Sequence, residues 1–295
     1  MSVNFAAAIF SNAILSGTSL LYATLGELIV ERAGIVNLGL EGIMLIGASV
    51  GFAVTLVTGS PYLGIAAASL AGLAANLLFG YVVIGRGANQ LAAGLSMLFF
   101  GLGASALIGG PYVGAIILGL PPLSLLGVRG FDLLVWLAVP TALILWWLLF
   151  RTRWGLALRA SGEDPAAAFA AGRRPDLLRY QALAVGGSLG GIGGAHLSVA
   201  YTLSWDEGMT AGRGFIAIAL VIFARWDPLW AVVGALVFSG AEALQLQLQA
   251  RGTNLSPFLM NMIPYLLTLV ALLFWGRNRR FAAPAALGRS FHGVE

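Results

Sequence analysis

The groups with chemical capacity in this chain are twelve carboxylates, two histidines and a scatter of carboxamides, most of them set among apolar runs. All sixteen basic residues are arginine, and the chain has neither lysine nor cysteine. A P-loop needs its lysine on the nucleotide phosphates and Schiff-base chemistry needs a lysine amine, so neither operates here in the usual way. Lack of cysteine removes disulfides, thiolate metal sites and a cysteine nucleophile. There is no His-Glu-x-x-His zinc motif and no carbonyl-filter sequence of a potassium channel. The Gly-x-Ser-Gly signature that would make His196 part of a rhomboid-like serine protease is also missing. These residues point to no catalytic group and no metal site, and His196 reads as an interhelical hydrogen bonder.

Polar groups inside an apolar chain remain candidates for a transport path. Asn37 and Glu41 are four apart, which puts them on one face at the start of a helix. They form either a salt-bridged helix entrance together with Glu27, Glu31 and Arg32, or part of an inner gate. Asp206, Glu207 and Arg213 bracket a Gly-Met-Thr210-Ala-Gly stretch that suits a broken backbone lining a cavity, although Glu207 and Arg213 could simply pair. Glu242 lies well inside an apolar run and is followed by Gln245 and Gln249 on a nearby face. Those carboxamides could hydrogen-bond the hydroxyls of a neutral sugar or nucleoside, or mark the wet outer end of a helix. Asn76, Asn89, Gln90, Asn261 and Tyr265 fit hydrogen bonds between helices.

The elements that must position these groups follow from composition. Hydrophobic residues make up 59% of the 295, charged residues only 9%, and mean hydropathy is +0.90. A soluble surface needs roughly 25–35% charged residues, so the chain reads as an integral membrane protein whose solvent is lipid. The formal charge of +4 is too small and dispersed for nucleic-acid binding. A crossing of about 30 Å takes about 20 apolar residues. Nine runs approach that length: 3–25, 38–57, 62–84, 91–108, 131–150, 181–202, 215–224, 228–247 and 257–275. The expected fold is an all-α polytopic bundle of nine spans, within one, forming a single domain over residues 1–295. The seventh run is short, so it either recruits residues 210–213 or spans only part of the membrane.

Cytoplasmic loops carry excess basic charge. The loop 151–179 holds six arginines and the tail 277–295 holds four, which places both inside and, with five spans ahead of the loop, the N-terminus outside. No basic residue precedes Arg32, so the start lacks the n-region of a signal peptide. The 40 glycines suit close helix packing in lipid. A weak similarity relates residues 42–76 to 214–243, each an apolar span, a turn ending in proline and a span rich in small residues. The two would run in opposite directions, as in the inverted repeats of transporters.

Within the long loop, Asp164 is a good N-cap, Pro165 suits the first helical position, Ala166 to Ala171 favour helix and Gly172 suits the left-handed residue beyond it. The signals predict a helix of about seven residues, marginal by itself. Phe169 stands among its alanines, with Arg159, Glu163, Arg173 and Arg174 around it. It is either a plug for a partner's groove or a connector lying on lipid headgroups.

The stretch Trp154 to Gly172 (WGLALRASGEDPAAAFAAG) resembles the cytoplasmic coupling loop of ABC importer permeases for ribose, other simple sugars, branched-chain amino acids and nucleosides. Glu31 to Ala48 (ERAGIVNLGLEGIMLIGA) and Met209 to Pro228 (MTAGRGFIAIALVIFARWDP) are similar to the smaller permease of nucleoside-type importers that work with a Bmp-family lipoprotein. Nearly the whole chain is covered in order. The resemblance implies a type II-like permease in the bacterial inner membrane. Its partners would be a larger second permease, an ATPase with two nucleotide-binding halves and an extracytoplasmic binding lipoprotein. This chain would bind no cofactor, with ATP and Mg on the ATPase. Arg159, Glu163, Asp164, Pro165, Phe169, Gly172 and Arg173 would meet the ATPase. Asn37, Glu41, Asn76, Gln90, Glu207, Thr210, Arg213, Glu242 and Asn261 would border the path. Alternatives are a permease for simple sugars or branched-chain amino acids, and a stand-alone ion-coupled transporter with Glu41 or Glu242 as its proton site.

Overall fold

A computed structural model describes residues 2–125, 128–250, 262, 266 and 283–289. Helices dominate, because backbone polar groups in lipid must be satisfied within the segment. They are α1 (Ser2–Arg32), α2 (Leu40–Thr58), α3 (Pro61–Gly80), α4 (Gln90–Gly109), α5 (Leu133–Arg151), α6 (Arg153–Glu163), α7 (Pro165–Ala170), α8 (Pro175–Ala195), α9 (Arg213–Phe223) and α10 (Pro228–Ala250). Helix α3 continues into a π-turn, Tyr81–Gly85, and α8 into another, His196–Tyr201. A hairpin, β1 (Leu123–Leu125) with β2 (Val128–Phe131), precedes α5. The fifth expected span therefore starts two residues late: Phe131 is in the strand, and Asp132 caps α5 by accepting from Leu134 N and Val135 N.

Among the described residues, seven helices are long and apolar enough to cross a membrane. The short α9 is the seventh expected segment, and the ninth, 257–275, lies almost wholly outside the described residues. The expected loop 151–179 is mostly helical, since α6 and α7 fill it and α8 begins at Pro175.

Helices α1, α2, α3 and α8 form the centre. Glycine permits the closest approaches: a Cβ on Gly194 would run into the carbonyl of Met44 in α2. Helices α4 and α5 are peripheral and expose Phe99, Phe100, Ile144 and Trp147. Arg32, ending α1, and Arg159, on α6, both lie over the Phe150 ring, at 5.6 and 5.0 Å. The last turn of α1 therefore sits at the end of the bundle that carries α6 and α7, here termed the arginine end. Helix α9 runs toward this end and α10 away from it, because Trp226 between them donates to Glu31 of α1 at 2.6 Å.

Candidate functional site

The most polar cluster in the interior forms where α9 begins. Residues 202–212 are not helical, and Leu203 and Ala211 adopt positive φ values of 58° and 48° beside Gly208 and Gly212. Left-handed backbone costs a non-glycine residue roughly 1–2 kcal/mol, so the segment must be held from outside. Trp205 holds one side, fully buried against Gly109 of α4, where a Cβ would enter the indole ring. Glu41 holds the other. Its Oε1 accepts from Thr210 Oγ1 at 2.6 Å and Gly212 N at 2.8 Å, and its Oε2 accepts from Gly214 N at 2.6 Å. Helix α9 has no side-chain cap of its own. A carboxylate from α2 supplies it in trans, at the terminus whose dipole favours negative charge. Position 214 must be glycine for this, since a Cβ there would lie 2.5 Å from the Glu41 backbone.

One residue onward, Arg213 Nη2 donates to Glu242 Oε1 at 2.8 Å and Nη1 to the Ser16 carbonyl at 3.2 Å. Ser16 Oγ closes the ring by donating to Glu242 Oε2 at 3.0 Å. The alternative pairing of Arg213 with Glu207 is not found: Arg213 pairs with Glu242 inside the bundle, while Glu207 is exposed. The expected loop carboxylate is nearer in sequence, but the helical start of α9 at Arg213 brings it to α10 instead.

Asn37 and Glu41 do not share a helical face. Asn37 stands in the turn before α2, where its Oδ1 accepts from Gly39 N at 2.8 Å. Its Nδ2 donates to Asn76 Oδ1 at 2.9 Å, and Asn76 Nδ2 donates to the Leu183 carbonyl at 2.7 Å. Glu27 accepts from Asn37 N at 3.0 Å. The expected neutralisation among Glu27, Glu31 and Arg32 is not found either, because Glu31 accepts from Trp226 while Arg32 donates to the Trp226 carbonyl at 2.9 Å. Gln90 opens α4, where its Oε1 accepts from Val36 N. His196 Nε2 lies 3.4 Å from Asp132 Oδ2, an ion-pair distance longer than a good hydrogen bond. Asn261 lies outside the described residues.

At the arginine end, α7 matches its sequence signals. Asp164 Oδ1 accepts from Ala166 N and Ala167 N, both at 3.0 Å, and Gly172 has φ 76°. Phe169 is 46% exposed, and Pro165 occupies the first helical position. Arg159 turns inward, with Nε donating to the Leu149 carbonyl at 3.1 Å. Arg173 is exposed. Glu163 accepts from Ala285 N at 3.1 Å.

Ser16, Trp205 and Trp226 were missed by sequence reasoning. No periodic or motif signal distinguishes them from neighbouring core residues, because each acts on a partner far along the chain. Among the described residues no cluster of three or more potential ligands could hold a metal ion.

Residues 9–272 match the family described as the permease component of branched-chain amino acid transport systems. The chain belongs to this permease family. It is 36% identical to a putative glucose ABC transporter permease of Haloferax volcanii, over 98% of this chain and 99% of that protein. It is 33% identical to a guanosine ABC transporter permease of Bacillus subtilis, over 91% of each chain. Identity to a nucleoside ABC transporter permease of Lactococcus lactis is 32% over 98% of each. No solved structure matches. The protein is thus a membrane-embedded permease subunit of an ABC importer, a transport component within a larger system, and not a stand-alone ion-coupled carrier.

Proposed function

We propose that this permease passes a nucleoside or a related simple sugar, together with a second permease, and is driven by a separate ATPase subunit that pushes on α7. An extracytoplasmic binding protein delivers the solute. The arginine end faces the cytoplasm, with loop 151–179 and tail 277–295 on that side and the N-terminus opposite, in keeping with the arginine bias.

The observation that carries this reading is α7. It is six residues long, too short to be stable alone, yet capped by Asp164 and presented with Phe169 exposed. Such a helix fits a partner's groove. ATP and Mg belong to the partner, since the chain has no lysine for a P-loop.

The choice of a neutral solute rests on charge bookkeeping within the interior. Glu41 is consumed in capping α9, and Arg213 and Glu242 neutralise one another. A zwitterionic amino acid would need free counter-charges for its carboxylate and ammonium groups, whereas hydroxyls need only hydrogen bonds. The relatives named for glucose, guanosine and nucleosides support the same choice.

Two mostly apolar crevices, about 400 Å³ between α3 and α4 and about 540 Å³ between α1, α5 and α10, are lined by neither Glu41, Arg213 nor Glu242. The second permease is supported by the ABC permease relatives.

Deleting residues 164–172 should leave membrane insertion intact and abolish uptake while the partner ATPase continues to hydrolyse ATP. The measurement is uptake and ATP turnover in proteoliposomes holding the complete importer. Normal uptake by the deleted chain would overturn the proposal.

A further inference from the structure

The segment Ala283 to Arg289 was expected to be part of a basic tail, and it is instead a compact turn docked into the arginine end. Leu287 N donates to the Pro284 carbonyl at 2.9 Å and Arg289 N to the Ala286 carbonyl at 3.0 Å, while Gly288 takes φ 78°. Four hydrogen bonds tie the turn to three other elements. Ala286 N donates to the Gly162 carbonyl at 3.0 Å, and Ala285 N to Glu163 Oε2 at 3.1 Å, both at the end of α6. Gly288 N donates to the Gly34 carbonyl at 3.2 Å, in the turn between α1 and α2. Gln90 Nε2, at the first residue of α4, donates to the Arg289 carbonyl at 3.5 Å. Pro284 and Ala286 are buried and Leu287 packs on the main core, so the contact is more than a surface touch.

The position of this turn gives it a mechanical role. Gly162 and Glu163 immediately precede Asp164, the cap of α7, so displacement of α7 pulls directly on both acceptors. Gly34 stands three residues before Asn37 and seven before Glu41, the residues that fix the Asn76 contact and the start of α9. Ala286 and Gly288, two residues apart, hold a carbonyl on each side. A rigid element with hydrogen bonds to both sides transmits motion between them.

We propose that the turn Pro284–Arg289 is a strap that carries movement of α7 to the Gly34–Glu41 segment, with Ala286 as its positioning residue. The inference rests on the coupling role proposed for α7. The strap acts through contacts with α6 and α1 and touches neither solute nor nucleotide.

The test uses the full chain assembled with its partner subunits. Ala286→Arg places a long charged side chain where Ala286 is buried, undocking the turn without altering α6 or α7. Uptake per ATP hydrolysed should fall on the order of tenfold, with subunit assembly and ATP turnover retained. Uptake per ATP equal to that of the unmodified chain overturns the strap. Deletion of residues 164–172 serves as the control. If that deletion is harmless, the coupling reading itself fails; if it uncouples while Ala286→Arg does not, only the strap fails. Should Ala286→Arg not assemble, Gly288→Pro is the second variant: it removes the N–H donated to the Gly34 carbonyl and cannot hold φ 78°. Uptake per ATP should fall in the same way, and uptake per ATP equal to that of the unmodified chain overturns the proposal.

Discussion

Glu41 is the residue on which the interior depends most. One carboxylate satisfies a hydroxyl and two backbone N–H groups at the start of α9. Glu41→Gln preserves shape but turns one acceptor oxygen into an NH2 facing a donor, and leaving one buried donor unpaired costs about 1–3 kcal/mol. The variant should melt at a lower temperature in detergent, and an unchanged melting curve would show that the carboxylate is dispensable. The Arg213–Glu242 pair invites a different measurement. Its side chains are 12% and 29% exposed, so solvent screens it only in part. A double-mutant cycle with Arg213→Ala and Glu242→Ala should give a coupling of about 1 kcal/mol, within the range for contacting residues. Additive single effects would mean that the pair contributes nothing net, as exposed pairs often do.

At the scale of elements, α7 and α9 are both short, and each depends on a cap. The α7 cap is local: Asp164 precedes the helix it serves. Asp164→Ala should destabilise α7 by about 1 kcal/mol, read as faster amide exchange at residues 166–170, whereas Asp164→Asn should stay near the original rate. Equal exchange in the alanine and asparagine variants would show that the cap does not hold the helix. The α9 cap arrives from α2, 173 residues away in sequence from Gly214, and no local rule reveals it. Close packing of α2 on α8 is a third dependence. Gly194→Ala would drive a methyl group into the Met44 carbonyl. Because the obstacle is backbone, the helices must separate, and the loss should reach several kcal/mol, on the order of overpacking costs or above. Retention of the original melting temperature would show that α8 can shift freely.

The molecule as a whole is a bundle in which Arg213 and Glu242 neutralise one another and Glu41 is engaged by the start of α9, with the locally capped α7 at the arginine end. Competition experiments follow from that charge balance. A nucleoside or neutral sugar should compete for uptake, and a branched-chain amino acid should not; competition by the amino acid alone would sink the neutral-solute reading. The repeat-like units 42–76 and 214–243 run in opposite directions as expected, since α2 and α10 lead away from the arginine end while α3 and α9 lead toward it. Their first helices meet at Glu41 and Gly214, so the two units converge on one polar cluster.

The sequence by itself determined the membrane class, the helical fold, most span positions, the absence of lysine-dependent chemistry and the start, cap and end of α7. Each of these depends on composition or on residues within a few positions of one another, where solvent, length and capping rules act. Tertiary structure alone decided the partners. Asn37 and Glu41, four apart, go to Asn76 and to α9; Arg213 bypasses Glu207 for Glu242; and residues 283–289 fold back on Gly162 and Gly34. A buried polar group in lipid must find a partner wherever packing brings one, and packing joins residues that sequence spacing leaves far apart.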